Sequence, residues 1–262
     1  MEEQQPNTIE TSLNDRIRYI TLNRPDKRNA LNSEMIGELK EVFRKAEKEA
    51  ESRVIVLNAN GKVFSAGADL EGLQKLQTYS YSDNLQDSNH LKELFHIIYY
   101  LDKPVIAQVE GHAIAGGCGL ATVCDFIYAV PEAKFGYTEV KIGFVPAIVM
   151  VFLLRKIGEG KARELLLTGK LEKAQAMEAA GLVNGVYEPD TIQETVKELA
   201  DHIAYNTSSE AIALTREMIA NIQSMPVEDA ISYAAESNAK ARGFDDCQRG
   251  IAAFLNKEEL KW

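Results

Sequence analysis

The spacing of apolar side chains divides the chain into two regimes. In the first, short β-branched runs alternate with amphipathic stretches. Residues 17–22 predict a strand, and Asn23-Arg24-Pro25-Asp26 is turn chemistry. Asn32 or Ser33 can cap a helix running to about residue 50, with Met35, Ile36, Leu39, Val42, Phe43 and Ala46 on one face. Residues 53–57, 105–109 and 126–130 are short apolar runs expected to be buried strands, and 91–101 has the helical period. Residues 74–89 are polar and predict a surface loop or a frayed helix. From Ala147 onward helical spacing takes over, in segments 147–157, 159–168, 173–180, 190–205, 208–224, 226–241 and 243–256. Only 182–187 looks extended there.

Strand and helix in alternation predict an α/β fold with packed layers. A soft boundary near 190 divides it into 1–190, carrying the chemistry, and a helical region, 191–262. The chain has 262 residues, 45% of them apolar, enough for one large core. Its net charge of -10 argues against a nucleic-acid partner, which needs a basic surface. The longest apolar stretch, 145–154, is too short to span a bilayer, so no membrane partner is expected. Met1 to Asn7 are polar and do not read as a signal peptide. Cys118, Cys124 and Cys247 are odd in number and have no zinc-ligand spacing, and the four histidines form no metal motif. Reduced thiols, no metal and a cytoplasmic location are the expectation.

Three segments can carry chemistry. Phe64-Ser65-Ala66-Gly67-Ala68-Asp69-Leu70 follows a strand, and its small residues leave main-chain N–H groups approachable. Asp69 can cap the next helix. Glu110 to Ala121 is a second Gly/Ala turn that opens a helix, whose N-terminus offers unsatisfied N–H donors. Each turn alone is equally explained by close helix–sheet packing. The second is neither a P-loop nor a convincing dinucleotide fingerprint. Two such turns together are the minimum for holding an oxyanion or enolate, which points to an ester or thioester carbonyl. In the third segment, 135–146, Glu139 sits among apolar residues and is a candidate general acid or base; pairing with Lys141 or solvent is the alternative.

The ordered set resembles the crotonase, or enoyl-CoA hydratase/isomerase, family. The matching stretches are Asn23-Arg24-Pro25 with Asn29-Ala30-Leu31, residues 64–70, Lys103-Pro104-Val105-Ile106-Ala107, Gly111-His112-Ala113 through Gly116-Gly117-Cys118, Cys124-Asp125, and Phe135-Gly136 with Glu139. Leu167-Thr168-Gly169 with 179–183 follows, so the resemblance covers residues 10–257. It implies a spiral of ββα units with a C-terminal helical region that builds homotrimers, often paired into hexamers. It implies an acyl-CoA thioester substrate and no metal or redox cofactor. It carries an oxyanion hole onto the N–H groups of Ala68 and Gly116 and the catalytic carboxylate onto Glu139. Arg28, Ala30 and Ala66 fall at the CoA-contacting edge, and Phe254 and Lys257 resemble a pair reaching CoA from a neighbouring subunit.

Two departures matter. Two-glutamate hydratases carry a second carboxylate where this chain has Gly119, and Pro146-Ala147-Ile148-Val149-Met150 replaces a Gly-rich segment. By mechanism, one carboxylate favours double-bond isomerisation. The sequence around Glu139 instead resembles single-glutamate hydratases of branched enoyl-CoAs, including the methylglutaconyl-CoA type, and hydration is the preferred expectation. A non-catalytic acyl-CoA-binding subunit and an RNA-binding role are the readings from other classes.

Overall fold

The computed structural model describes residues 7–262. Most of the polar N-terminal segment, on which the expectation about a signal peptide rests, lies outside the described residues.

The architecture is built from repeated strand–strand–helix turns. An antiparallel hairpin, β1 (Ile9–Asn14) and β2 (Ile17–Leu22), precedes α1 (Ser33–Lys48). The next turn is β3 (Val54–Ala59), β4 (Val63–Ser65), α2 (Leu70–Leu76) and α3 (Tyr81–Tyr100). Then come β5 (Val105–Val109), β6 (His112–Ile114) and α4 (Gly116–Val123). The last full turn is β7 (Phe126–Ala129), β8 (Lys134–Gly136), a 3-10 turn at Glu139–Ile142 and α5 (Ala147–Thr168).

Both hairpin strands join a six-stranded sheet; in the later turns the first strand joins that sheet and the second joins a four-stranded sheet. The short β9 (Glu172–Lys173) and β10 (Gly185–Val186), with α6 (Ala174–Ala179) between them, complete the order β1-β2-β3-β5-β7-β10 and β4-β6-β8-β9. Pairing is parallel from β2 through β10, and β9 returns antiparallel to β8. This is the ββα spiral that the resemblance implies.

The parallel sheet is covered on both faces, which is why its central strands read as unbroken apolar runs. Val54, Ile55, Val56 and Leu57 are all at 0% exposure. Each such side chain contributes about 1.5–3 kcal/mol, so β3 and β5 anchor the core, and the functional turns leave from the β4 and β6 strands that follow them. Helix α1 buries Met35, Ile36, Leu39, Phe43 and Ala46 as its spacing predicts, and Asn32 caps it.

Of the surface loop or frayed helix expected at 74–89, the structure shows helix: α2 continues to Leu76, the chain breaks briefly, and α3 starts at a Ser80–Asp83 capping box. Its first half stands off the core, with burial beginning at Leu94, so the apolar period is absent where the helix begins. Helix α5 does divide between 157 and 159, at Gly158 with φ 73°.

The C-terminal part is helical. Helix α7 (Ile192–Asn206) packs on the six-stranded sheet, α8 (Ser209–Ile222) packs on α3 and on α9 (Val227–Ala241), and α10 (Asp245–Asn256) packs on α8. Among the described residues no helix is long and apolar enough to cross a membrane.

Candidate active site

The first functional turn is held by a segment distant in sequence. The Leu31 N–H donates to Gly67 O (2.7 Å), and the Asp69 N–H donates back to Leu31 O (3.1 Å). The Ala66 N–H donates to Arg28 O at 3.0 Å. Asn29, fully buried, braces the same segment by donating to Asn60 O and Val63 O, both at 2.8 Å. Arg24 ties the two segments together, donating to Ala30 O (2.6 Å) and Asp69 Oδ2 (3.0 Å). Asp69 caps α2 through the Glu71 N–H, as its position predicts. The neighbours of Ala68 are thereby engaged. Among the described residues no acceptor takes the Ala68 N–H, and Ala68 itself is exposed.

The second turn is the start of α4. The Ala115 N–H donates to Gly136 O (2.8 Å), linking the turn to β8. Ala115 sits at φ 49°, ψ −123°, a conformation that costs a non-glycine residue on the order of 1–3 kcal/mol and clusters at functional sites. It aims the first N–H of α4, that of Gly116, away from any acceptor among the described residues.

The two turns touch. Gly67 has φ +90°, and a Cβ built on it would lie 2.9 Å from Ala115 Cβ and 3.4 Å from Gly116 N. Only glycine permits this approach. The structure therefore brings the unengaged donors of Ala68 and Gly116 to adjacent turns.

Glu139 leaves the four-stranded sheet three residues after Gly136, the residue that holds Ala115. Its Oε2 is buried with no hydrogen-bond partner, and burial raises its carboxyl above the ordinary carboxylate range. No pairing with Lys141 occurs among the described residues. The strand end that Glu139 follows accepts from the N–H of Ala115, the residue before the first turn of α4. Tyr137 is fully buried, and its hydroxyl shares a 2.7 Å hydrogen bond with Thr122 Oγ1, bracing α4 against the strand that leads to Glu139. Cys118 and Cys124 are buried, and desolvation pushes both thiols up to about 12, so they pack as small apolar groups.

Gly119 is sealed. A Cβ there would stand 2.1 Å from Val149 Cγ1 and 3.1 Å from Phe95 Cε1. The space where a second carboxylate would project is filled by α5. Sequence reasoning flagged both 119 and 149 but not that one fills the other. It also missed Leu31, Asn29 and Arg24 as the clamp on Ala68, although all three stand in the matched stretches.

The remaining predicted residues divide. Arg28 (exposed, φ 54°), Ala30 (7% exposed) and the half-buried Ala66 gather at the first turn. Phe254, 83% exposed, and Lys257, the left-handed cap of α10, do not join them within one chain, since α10 packs mainly against α8. Among the described residues no group of three His, Cys, Asp or Glu side chains is placed to hold a metal ion.

Two idle donors on touching turns can stabilise a carbonyl oxygen that gains charge, and a desolvated carboxylate can move a proton near neutral pH. The chain is similar to known proteins along almost its whole length. The family model described as enoyl-CoA hydratase/isomerase matches residues 12–262. A Thermus thermophilus protein named "Putative enoyl-CoA hydratase" is 42% identical, over 92% of this chain and 95% of its own. A short-chain-enoyl-CoA hydratase of Clostridium acetobutylicum is 31% identical over 94% of each chain. The crystal structure of an enoyl-CoA hydratase from Shewanella pealeana superposes with a TM-score of 0.93 at 28% identity, covering 99% of this chain and 97% of that one.

Proposed function

The chain belongs to the enoyl-CoA hydratase/isomerase family and is an acyl-CoA-processing enzyme of that kind, and on that premise we propose that it adds water to an α,β-unsaturated acyl-CoA with Glu139 as its one catalytic carboxylate. The observation that carries this reading is the buried, unpartnered Glu139 Oε2, three residues from Gly136, whose carbonyl holds Ala115 at the turn of the idle Gly116 N–H. The thioester oxygen accepts from Ala68 and Gly116. Ionised Glu139 takes a proton from water as the water oxygen bonds to C3, and the C2=C3 electrons move to the thioester as an enolate. Glu139 then returns the proton to C2. The resemblance around Glu139 favours a branched acyl group of the methylglutaconyl type.

Arg28, Ala30 and Ala66 form the proposed CoA edge. Phe254 and Lys257 would meet CoA bound to a neighbouring copy in a homotrimer or hexamer. The support is a C-terminal face that leaves Phe254, Leu255 (72%), Ile231 (65%) and Val227 (68%) exposed, more than an isolated chain would leave bare.

One observation favours a second reading. With position 119 closed by Val149, a single base suffices for moving a double bond between the 3,4 and 2,3 positions, taking a proton from C2 and returning it to C4. A product assay on crotonyl-, 3-methylglutaconyl- and 3-enoyl-CoA separates the two. Water addition to the 2-enoyl esters is expected. Bond migration without hydration would replace the first reading with the second.

A further inference from the structure

A second cavity, of ≈ 500 Å³, lies at the other end of α4, where Thr122 and Val123 meet the starts of β5 and β7 and the flanks of α5 and α8. That volume is within the range of about 300–1,000 Å³ usual for small-molecule sites. Neither Ala68, Gly116 nor Glu139 lines it. At ~1.5 Å per residue, the helix sets its near wall roughly 10 Å from Gly116. The direct way between them is closed by Val149 against Gly119 and by the Phe95 ring stacked on Phe152, centroids 5.7 Å apart.

Two features of this wall point to one kind of ligand. The first is charge. In a chain of net -10, the wall carries Arg155, Lys156 and Arg216 against the single carboxylate of Asp125. Asp125 is already matched, accepting from Arg216 Nε at 3.0 and 3.1 Å. The Lys156 ammonium donates to Cys124 O, and burial lowers its pKa. Arg155 is exposed on the wall and enters no ion pair among the described residues. The second is an apolar body, supplied by Phe152, Ile212 and Ile219 among others.

We propose that this cavity binds an apolar molecule carrying one carboxylate, of the class of medium-chain fatty-acid anions. A carboxylate pairs with the guanidinium of Arg155, where the wall's cations outnumber its carboxylates. The hydrocarbon tail covers the aromatic and aliphatic wall. A nucleotide or sugar would leave its own polar groups unpaired against that wall. The site is separate from the thioester site and does not depend on which reaction Glu139 performs.

Calorimetric titration of the full chain with sodium decanoate tests it. Saturable binding of one decanoate per chain is expected, undisturbed by saturating crotonyl-CoA. Ala211→Trp, on an exposed part of the wall, should fill the cavity and weaken binding about tenfold or more. Arg155→Met, also at an exposed position, keeps the test open if Ala211→Trp fails to fold, and should likewise weaken binding. No saturable binding would overturn the proposal, as would unchanged affinity in both Ala211→Trp and Arg155→Met. Displacement of decanoate by crotonyl-CoA would put it in the thioester site instead. Absent binding together with a changed sedimentation coefficient in Ala211→Trp would make the face an interface between copies.

Discussion

Gly119 and Val149 interlock, with 2.1 Å between Val149 Cγ1 and the place where a Cβ on residue 119 would stand. Helix α5 lies on α4 with no room for a side chain at that point. Gly119→Ala is therefore expected to destabilise the fold by about 1–3 kcal/mol through overpacking. Adding Val149→Ala should restore most of that loss. Urea unfolding midpoints of the two variants check this, and a Gly119→Ala protein that unfolds with the wild type would show that α5 yields easily.

Glu139→Gln should abolish turnover while CoA-thioester binding survives, because the amide keeps the shape and loses the base. Single-turnover assays beside equilibrium binding read the two effects separately. Full activity in this variant would remove Glu139 from the mechanism.

The same substitution carries a pH signature. Burial raises the Glu139 pKa in the folded chain, so the folded state favours the protonated carboxyl. The stability this gives is complete below the unfolded-state pKa and is lost as pH rises through the folded one. Glu139→Gln does not titrate. Its melting temperature relative to wild type should rise across that interval and stay level above it. The wild-type rate should fall on the acid side at a pH above the ordinary carboxylate range, since the base must be ionised. A melting difference that is flat with pH would contradict the desolvated carboxylate.

Gly116→Pro deletes one donor at the first residue of α4, where proline is at home. Its ring crowds Ala115 at φ 49°, ψ −123°, so it is made together with Ala115→Gly and compared with Ala115→Gly alone. The rate should drop by ~10²–10³. Circular dichroism confirms that the fold survives, and unchanged kinetics in a folded variant would end the donor role proposed for residue 116.

Much of the framework was legible in the sequence because burial dictates it. Val54 to Leu57 must be apolar on both faces, and α1 must repeat its apolar residues at helical spacing. The edge strand β1 escaped because Ile9 alone in it is buried, and the first half of α3 because it faces solvent. Of the site, the three chemical segments were legible and their mutual grip was not. Nothing local to Leu31 announces that its N–H and carbonyl clamp residues 67 and 69. Nor does anything around 149 announce that its methyl groups rest on 119, since such contacts are fixed by how successive turns of the spiral stack.

The donors at 68 and 116 belong to the main chain, and this shapes how mutation can reach them. Every residue but proline carries an N–H. Ala68 is exposed, and a Cβ at 116 would meet nothing nearer than 3.6 Å. Both positions can thus drift in side chain while the polarising groups persist. The intolerance is displaced onto their neighbours, Gly67 and Gly117, where an added Cβ would fall within 2.9 Å and 2.5 Å of other atoms. Random mutagenesis should find its dead variants beside the donors more often than at them.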